Sequence, residues 1–202
     1  IDGRIFQLDS PFNLLKFPKL PIITRLRMGL ILFYFKVNPF WKPLETIRAE
    51  KWLSEAMGER AYKMIWEPLL SSKFEEYKSQ IPLSWFWARI KKRSSSLGYP
   101  EGGFQNLADS IVKKIKKNGG EFFFKTEVVN IEKYISIFDK VIVTLPSALF
   151  VKIAPGLPKS YQQKLLNFKS LGTLNLVLVL KKPFLSDRTY WLNICDKTFP
   201  FL

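Results

Sequence analysis

The segment from Gly98 to Pro146 constrains the fold more than any other part of this chain. It reads Gly-Tyr-Pro-Glu-Gly-Gly-Phe, then a basic amphipathic stretch, then Gly119-Gly120, then two β-prone runs ending in Thr-Leu-Pro. Phe104, Leu107, Ala108, Ile111, Val112 and Ile115 recur at i, i+3, i+4, i+7, i+8 and i+11, which is one face of a helix. Lys113, Lys114, Lys116 and Lys117 load the opposite face and the last turn, where cations complement the helix dipole. Gly119-Gly120 supplies the left-handed stop such a helix needs. Residues 121–124 and 126–131 then read as extended, and 140–146 as a buried strand delivering a turn. A glycine-rich approach, a helix and β-prone runs in that order predict an α/β arrangement.

The rest of the chain is predominantly helical in pattern. Residues 5–7 predict a short strand, and Ser10 caps a small helix that ends before Phe17. A helix is expected over 21–37, with proline in its first turn. Another spans 48–57 and is closed by Gly58. A third begins at Glu59, and Pro68 should end or kink it. The helix over 82–93 carries Trp85, Phe86 and Trp87, which implies burial on more than one side. The stretch 94–98, Ser-Ser-Ser-Leu-Gly, is the best candidate boundary. Short helices over 146–153 and 158–168 flank the Pro155-Gly156 turn. Residues 173–180 are nearly continuous apolar and β-rich, the pattern of a strand covered on both faces. Pro183 ends that run, and Asp187-Arg188 turns into a last strand over 189–194.

Composition removes several chemistries. The chain has no histidine and one cysteine, Cys195. Histidine-based nucleophilic triads and histidine- or cysteine-rich zinc sites are therefore excluded, and an internal disulfide cannot form. That usage fits a reducing compartment, so a cytoplasmic location, with or without membrane association, is expected. Adjacent carboxylates such as Glu75-Glu76 point apart on a helix and read as a solvated face. The net charge of +15 suits anionic partners, but no nucleic-acid motif accompanies it, so nucleic acid is not expected among them. The apolar run 28–35 is far shorter than the roughly 20 residues needed to span a bilayer. Arg25, Arg27 and Lys36 flank it, so its helix reads either as core or as an interfacial element.

The order Gly-Tyr-Pro-x-Gly-Gly-Phe, helix, Gly-Gly, Thr-x-Val-x-x-Ile, Phe-Asp-x-Val-Ile-x-Thr-x-Pro resembles the flavin-containing amine oxidase superfamily, which includes protoporphyrinogen oxidase and phytoene-desaturase-like enzymes. Glu50-Lys-Trp-Leu, Met57-Gly-Glu-Arg-Ala-Tyr, Trp66-Glu-Pro-Leu-Leu and Ala154-Pro-Gly-Leu-Pro extend the resemblance over nearly the whole chain. It implies a two-domain, FAD-binding α/β flavoprotein. By that analogy 1–97 and 150–202 are substrate domain, and 98–149 is an excursion into the FAD-binding domain. The family's strand, G-x-G-x-x-G turn and helix, whose N-terminus holds the FAD pyrophosphate, has no counterpart in this sequence. No methionine opens the chain and no closing flavin-binding segment is recognisable, so an internal fragment is expected, inactive by itself.

The resemblance also implies roles for particular residues. Val128 matches the strand valine that holds the adenine ring through its backbone amide and carbonyl. Gly102 and Gly103 permit close backbone approach to the flavin or its phosphates, or else form a tight turn into the helix. Thr144 and Pro146 end the strand brought near the cofactor, although strand termination by proline also explains them. Trp85, Trp87, Tyr99 and Trp191 suit the wall of an apolar substrate pocket, or ordinary core. The chemistry expected is oxidation of a mostly apolar small molecule by hydride or hydrogen transfer to FAD. The alternative from a different class is a basic, aromatic-rich module that docks on a membrane or a protein without catalysis. Substrate identity, electron acceptor and oligomeric state are not legible.

Overall fold

The computed structural model describes residues 1, 3–94, 98–185, 189, 191–195 and 199. The chain divides into two compact units: Ile1–Leu97 with Val177–Leu202, and Gly98–Leu176. Residues 95–97 of the serine-rich stretch and the Asp187-Arg188 turn lie outside the described residues, as does Tyr190 of the last β-prone run.

The first unit is built from helices α1 (Pro11–Lys16), α2 (Ile22–Val37), α3 (Ala49–Met57), α4 (Glu59–Ala61), α5 (Glu67–Phe74) and α6 (Leu83–Lys91). Ser10 caps α1 as expected, its Oγ accepting from the Asn13 amide at 3.2 Å. In α3 the buried residues are Ala49, Leu53 and Met57, four apart. In α6 they are Leu83, Phe86 and Trp87, and α2 contributes Met28 and Phe35. These faces meet where α2, α3 and α6 pack on one another. Phe35 is fully buried there, edge-on to Trp52 at 5.3 Å and to Phe86 at 5.5 Å. Lys91 of α6 donates to the Lys36 and Val37 carbonyls, while Lys36 donates to those of Lys91 and Arg93. Each lysine thus covers carbonyls at the other helix's C-terminal end, where cations are favoured.

Pro68 does not end its helix. It sits in the first turn of α5, where a missing amide is tolerated, and the irregularity falls just upstream as a wide turn over Tyr62–Trp66. Within it the buried Tyr62 hydroxyl and Trp66 Nε1 have no hydrogen-bond partner among the described residues. Two backbone bonds, Ala49 to Ile81 and Leu83 to Ile47, both 2.8 Å, tie the starts of α3 and α6 together. They frame the Arg48–Pro82 antiparallel bridge, the one β-type pairing among the described residues.

The second unit holds α7 (Gly103–Lys117), α8 (Glu132–Ile135), α9 (Ser147–Ile153) and α10 (Lys159–Leu166). Helix α7 ends as its sequence dictates. Gly119 has φ +84°, its amide reaches the Lys116 carbonyl, and the Gly120 amide reaches that of Ile115, the paired bonds of a Schellman cap.

The α/β expectation is overturned. Of the described residues 53% are helical and none forms a β-sheet, so the fold is helical. Residues 5–7, 121–124, 126–131, 140–146, 173–180 and the described part of 189–194 do not pair into strands, and 132–135 form a helical turn. A strand is stable only when its amides and carbonyls find a ladder partner and its apolar face a cover. Neither is met: Leu174, Leu176, Val177 and Val179 are 82–102% exposed. The stripe of α7 that would cover a sheet is open too, with Phe104, Leu107, Ile111 and Ile115 all exposed. The runs have β propensity, which suits a sheet surface but does not supply a partner strand. Of the described residues of the second unit, only Ile131 and Ala154 are buried.

Candidate functional site

In the second unit, an open apolar cleft of about 430 Å³ lies between the α8 turn, the extended run after it and the start of α9. Ile131, Ile135 and Phe138 form one side, Val141, Val143 and Leu145 line another, and Ser147 and Phe150 close it. Asp139 and Lys140 are its charged lining residues. The Ile131 amide donates to the Ile153 carbonyl at 2.8 Å, tying α8 to the end of α9. Pro146 starts α9, its carbonyl accepting from Leu149 and Phe150. The cleft is large enough for a small organic molecule and offers it mostly hydrocarbon.

Thr144 and Pro146 alternate with the cleft residues Val143, Leu145 and Ser147 and are themselves exposed. Val128 is 38% exposed in a stretch without regular structure, and neither its amide nor its carbonyl has a backbone hydrogen bond among the described residues. An apolar residue with both backbone groups open can still bind a polar edge. Gly102 and Gly103 have φ of +76° and +80°, a conformation that favours glycine. They lead into α7, whose N-terminus has no side-chain cap. The Asn106 amide folds back to donate to the Glu101 carbonyl at 2.9 Å, so close that a Cβ on Gly102 would lie 2.8 Å from its Nδ2.

The four aromatic residues are not gathered around a cavity within either unit. Trp87 is buried in the core of the first unit, its indole donating to the Asn38 carbonyl at 2.8 Å. Trp85 packs against the same core, edge-on to Phe74 at 4.8 Å. Tyr99 is 65% exposed beside Phe104, and Trp191 is exposed with its indole donating to Asn193. Sequence reasoning missed the cleft residues Ile135, Phe138 and Phe150. The signal was present: Ile131, Ile135 and Phe138 stand at i, i+4 and i+7, a helical spacing in the stretch between the runs expected to be extended.

Among the described residues no group of three or more histidine, cysteine, aspartate or glutamate side chains could hold a metal. The first unit has one partly buried ionic cluster, where Lys78 Nζ lies 2.8 Å from Glu67 and 3.6 Å from Glu50. Glu67, nearest at hand, raises the Lys78 pKa. Burial, reinforced by both carboxylates, pushes the neighbouring Tyr62 phenol upward as well. This cluster ties α3 and α5 to the turn carrying Lys78 and reads as structural.

Comparison with protein families matches residues 14–200 to the flavin containing amine oxidoreductases. Comparison with curated proteins and with solved structures gives no match.

Proposed function

This chain belongs to the flavin-containing amine oxidoreductase family, and from that premise we propose that it forms part of an FAD-dependent enzyme oxidising a mostly apolar organic substrate, of the protoporphyrinogen oxidase or phytoene desaturase kind. Flavin-dependent oxidoreductase chemistry is what membership itself establishes; cofactor form, substrate class and residue roles are the proposal. The observation that carries it is the family match, which runs through both units.

When bound, the flavin supplies the electron acceptor, taking a hydride equivalent from the substrate. Everything this chain contributes is placement and polarity. The unpaired amide and carbonyl of Val128 fit the donor–acceptor edge of adenine, with no side-chain chemistry required. The bare backbone at Gly102 and Gly103, opening an uncapped helix, lets main-chain amides approach a negatively charged or carbonyl oxygen. Thr144 and Pro146 bracket the cleft residue Leu145, and the hydrocarbon lining of the cleft suits an apolar guest. A pyrophosphate anchor of the G-x-G-x-x-G kind is not among these residues, so the 202-residue chain alone should bind FAD weakly and turn nothing over.

Titration of the chain with FAD, followed by flavin fluorescence, tests the assignment. Weak saturable binding that Val128→Pro abolishes is expected, because proline deletes the amide donor. Tight binding indifferent to that substitution would overturn it.

A further inference from the structure

Helix α2 carries two apolar faces, and only one of them has a use in the fold. Met28 and Phe35 turn inward to the core. Ile22, Ile23, Leu26, Leu30, Phe33 and Val37 fall within an arc of about 100° on the other side, at 3.6 residues per turn, and all are exposed. Ile23 is 76% exposed, Leu30 71% and Phe33 64%. Arg25 and Lys36 border this stripe on one flank and Arg27 on the other. Tyr34 lies beside it, and the exposed Phe40 and Trp41 follow directly after the helix. Helix α7 also has an open apolar face, but its opposite side is polar, so one cover would complete it. Helix α2 is already packed, and its second face calls for a second environment.

We propose that α2 docks this chain on an anionic membrane surface, lying in the plane of the interface with the Ile22–Val37 stripe in the headgroup–acyl boundary. Charge selects this occupant. From residue 10 to residue 44 the sequence has no acidic side chain and six cations: Lys16, Lys19, Arg25, Arg27, Lys36 and Lys42. A second copy meeting this face across a two-fold axis would set cation against cation. Acidic headgroups match the cations, at roughly 1 kcal/mol for each one near the surface. The aromatic residues suit the same boundary layer. The core contacts of Met28 and Phe35 hold the helix flat on its unit, and no helix of the described residues is long and apolar enough to cross a membrane. Docking of this kind stands independently of the flavin reading.

Co-sedimentation of the 202-residue chain tests it, using vesicles of phosphatidylcholine alone and vesicles with about one-third phosphatidylglycerol. Partitioning at least tenfold stronger onto the anionic vesicles is expected, weakening as salt rises. The triple variant Ile23→Ser/Leu30→Ser/Phe33→Ser, with helicity confirmed by circular dichroism, should lose at least tenfold. If that variant does not fold, the lipid and salt dependence of the unaltered chain still decides. Equal binding to both vesicles overturns the proposal, as does unchanged binding of the triple variant. Loss of binding only with Ile111→Ser/Ile115→Ser would move the contact to α7. Dimerisation abolished by the triple variant, with no vesicle binding, would assign the stripe to a second copy.

Discussion

Phe33 and Phe35 are two residues apart on one helix, and the structure gives them opposite fates. Phe35 is fully buried between Trp52 and Phe86, whereas Phe33 is 64% exposed. Truncating Phe35 to alanine removes a buried ring and leaves a void among α2, α3 and α6. Transfer of the ring accounts for roughly 1.5–3 kcal/mol, and the lost aromatic edges for about 0.5–1.5 kcal/mol each. With incomplete collapse of the void, the total is expected near 4 kcal/mol, inside the usual range of about 3–5 for buried Phe→Ala. Against a typical domain stability of about 5–15 kcal/mol, that is a large fraction. Phe33→Ala should stay within about 0.5 kcal/mol. Urea unfolding followed by tryptophan fluorescence reports the difference, since Trp52, Trp66, Trp85 and Trp87 all belong to or pack against that core. Equal costs for the two variants would refute the orientation of α2, and with it the membrane-facing stripe.

Tyr62→Phe should be neutral or slightly stabilising at neutral pH, because the hydroxyl it deletes is buried and unpartnered. Burial holds the Tyr62 phenol protonated and Glu67 holds Lys78 charged, so both folded pKa values lie above the unfolded ones. The Lys78 contribution is complete below about pH 10 and lost as pH rises through the raised value, while keeping Tyr62 protonated against its unfolded tendency to ionise costs stability over the same window; urea midpoints measured across that window should fall, and fall less in Tyr62→Phe. Gly119→Ala should cost about 1 kcal/mol and shorten α7 as seen by circular dichroism, since φ +84° disfavours a Cβ. The double variant Val177→Lys/Val179→Lys should suppress concentration-dependent self-association in size-exclusion chromatography, because both residues sit almost fully exposed in a β-prone run; unchanged association would point elsewhere.

Helices were legible where the local code was complete. Phe104 to Ile115 carried the period and Gly119-Gly120 the cap, and α7 formed with its Schellman bonds in place. Ser10 and Gly58 behaved likewise, and the helix expected over 21–37 formed as α2. The strands were misread because β propensity at 173–180 describes residues that suit a sheet and says nothing about whether a partner strand exists. Register and pairing are non-local, and nothing in Thr173–Leu180 itself encodes them. Pro68 was read as a breaker from its chemistry alone, whereas its place in a helix's first turn depended on the wide turn before it. The family resemblance came from glycine and proline spacing, which records backbone demands directly. Pocket walls could not be told from core: Trp87 read as either, and it packs in the core of its unit, because periodicity does not distinguish a ring facing a ligand from one facing Asn38.

The central claim is that this chain serves flavin chemistry, and the absorbance spectrum of the protein expressed from its complete reading frame, purified without added cofactor, tests it most directly. Bands near about 375 and 450 nm, those of a protein-bound flavin, are predicted. A colourless protein that also leaves added FAD unbound would contradict the account.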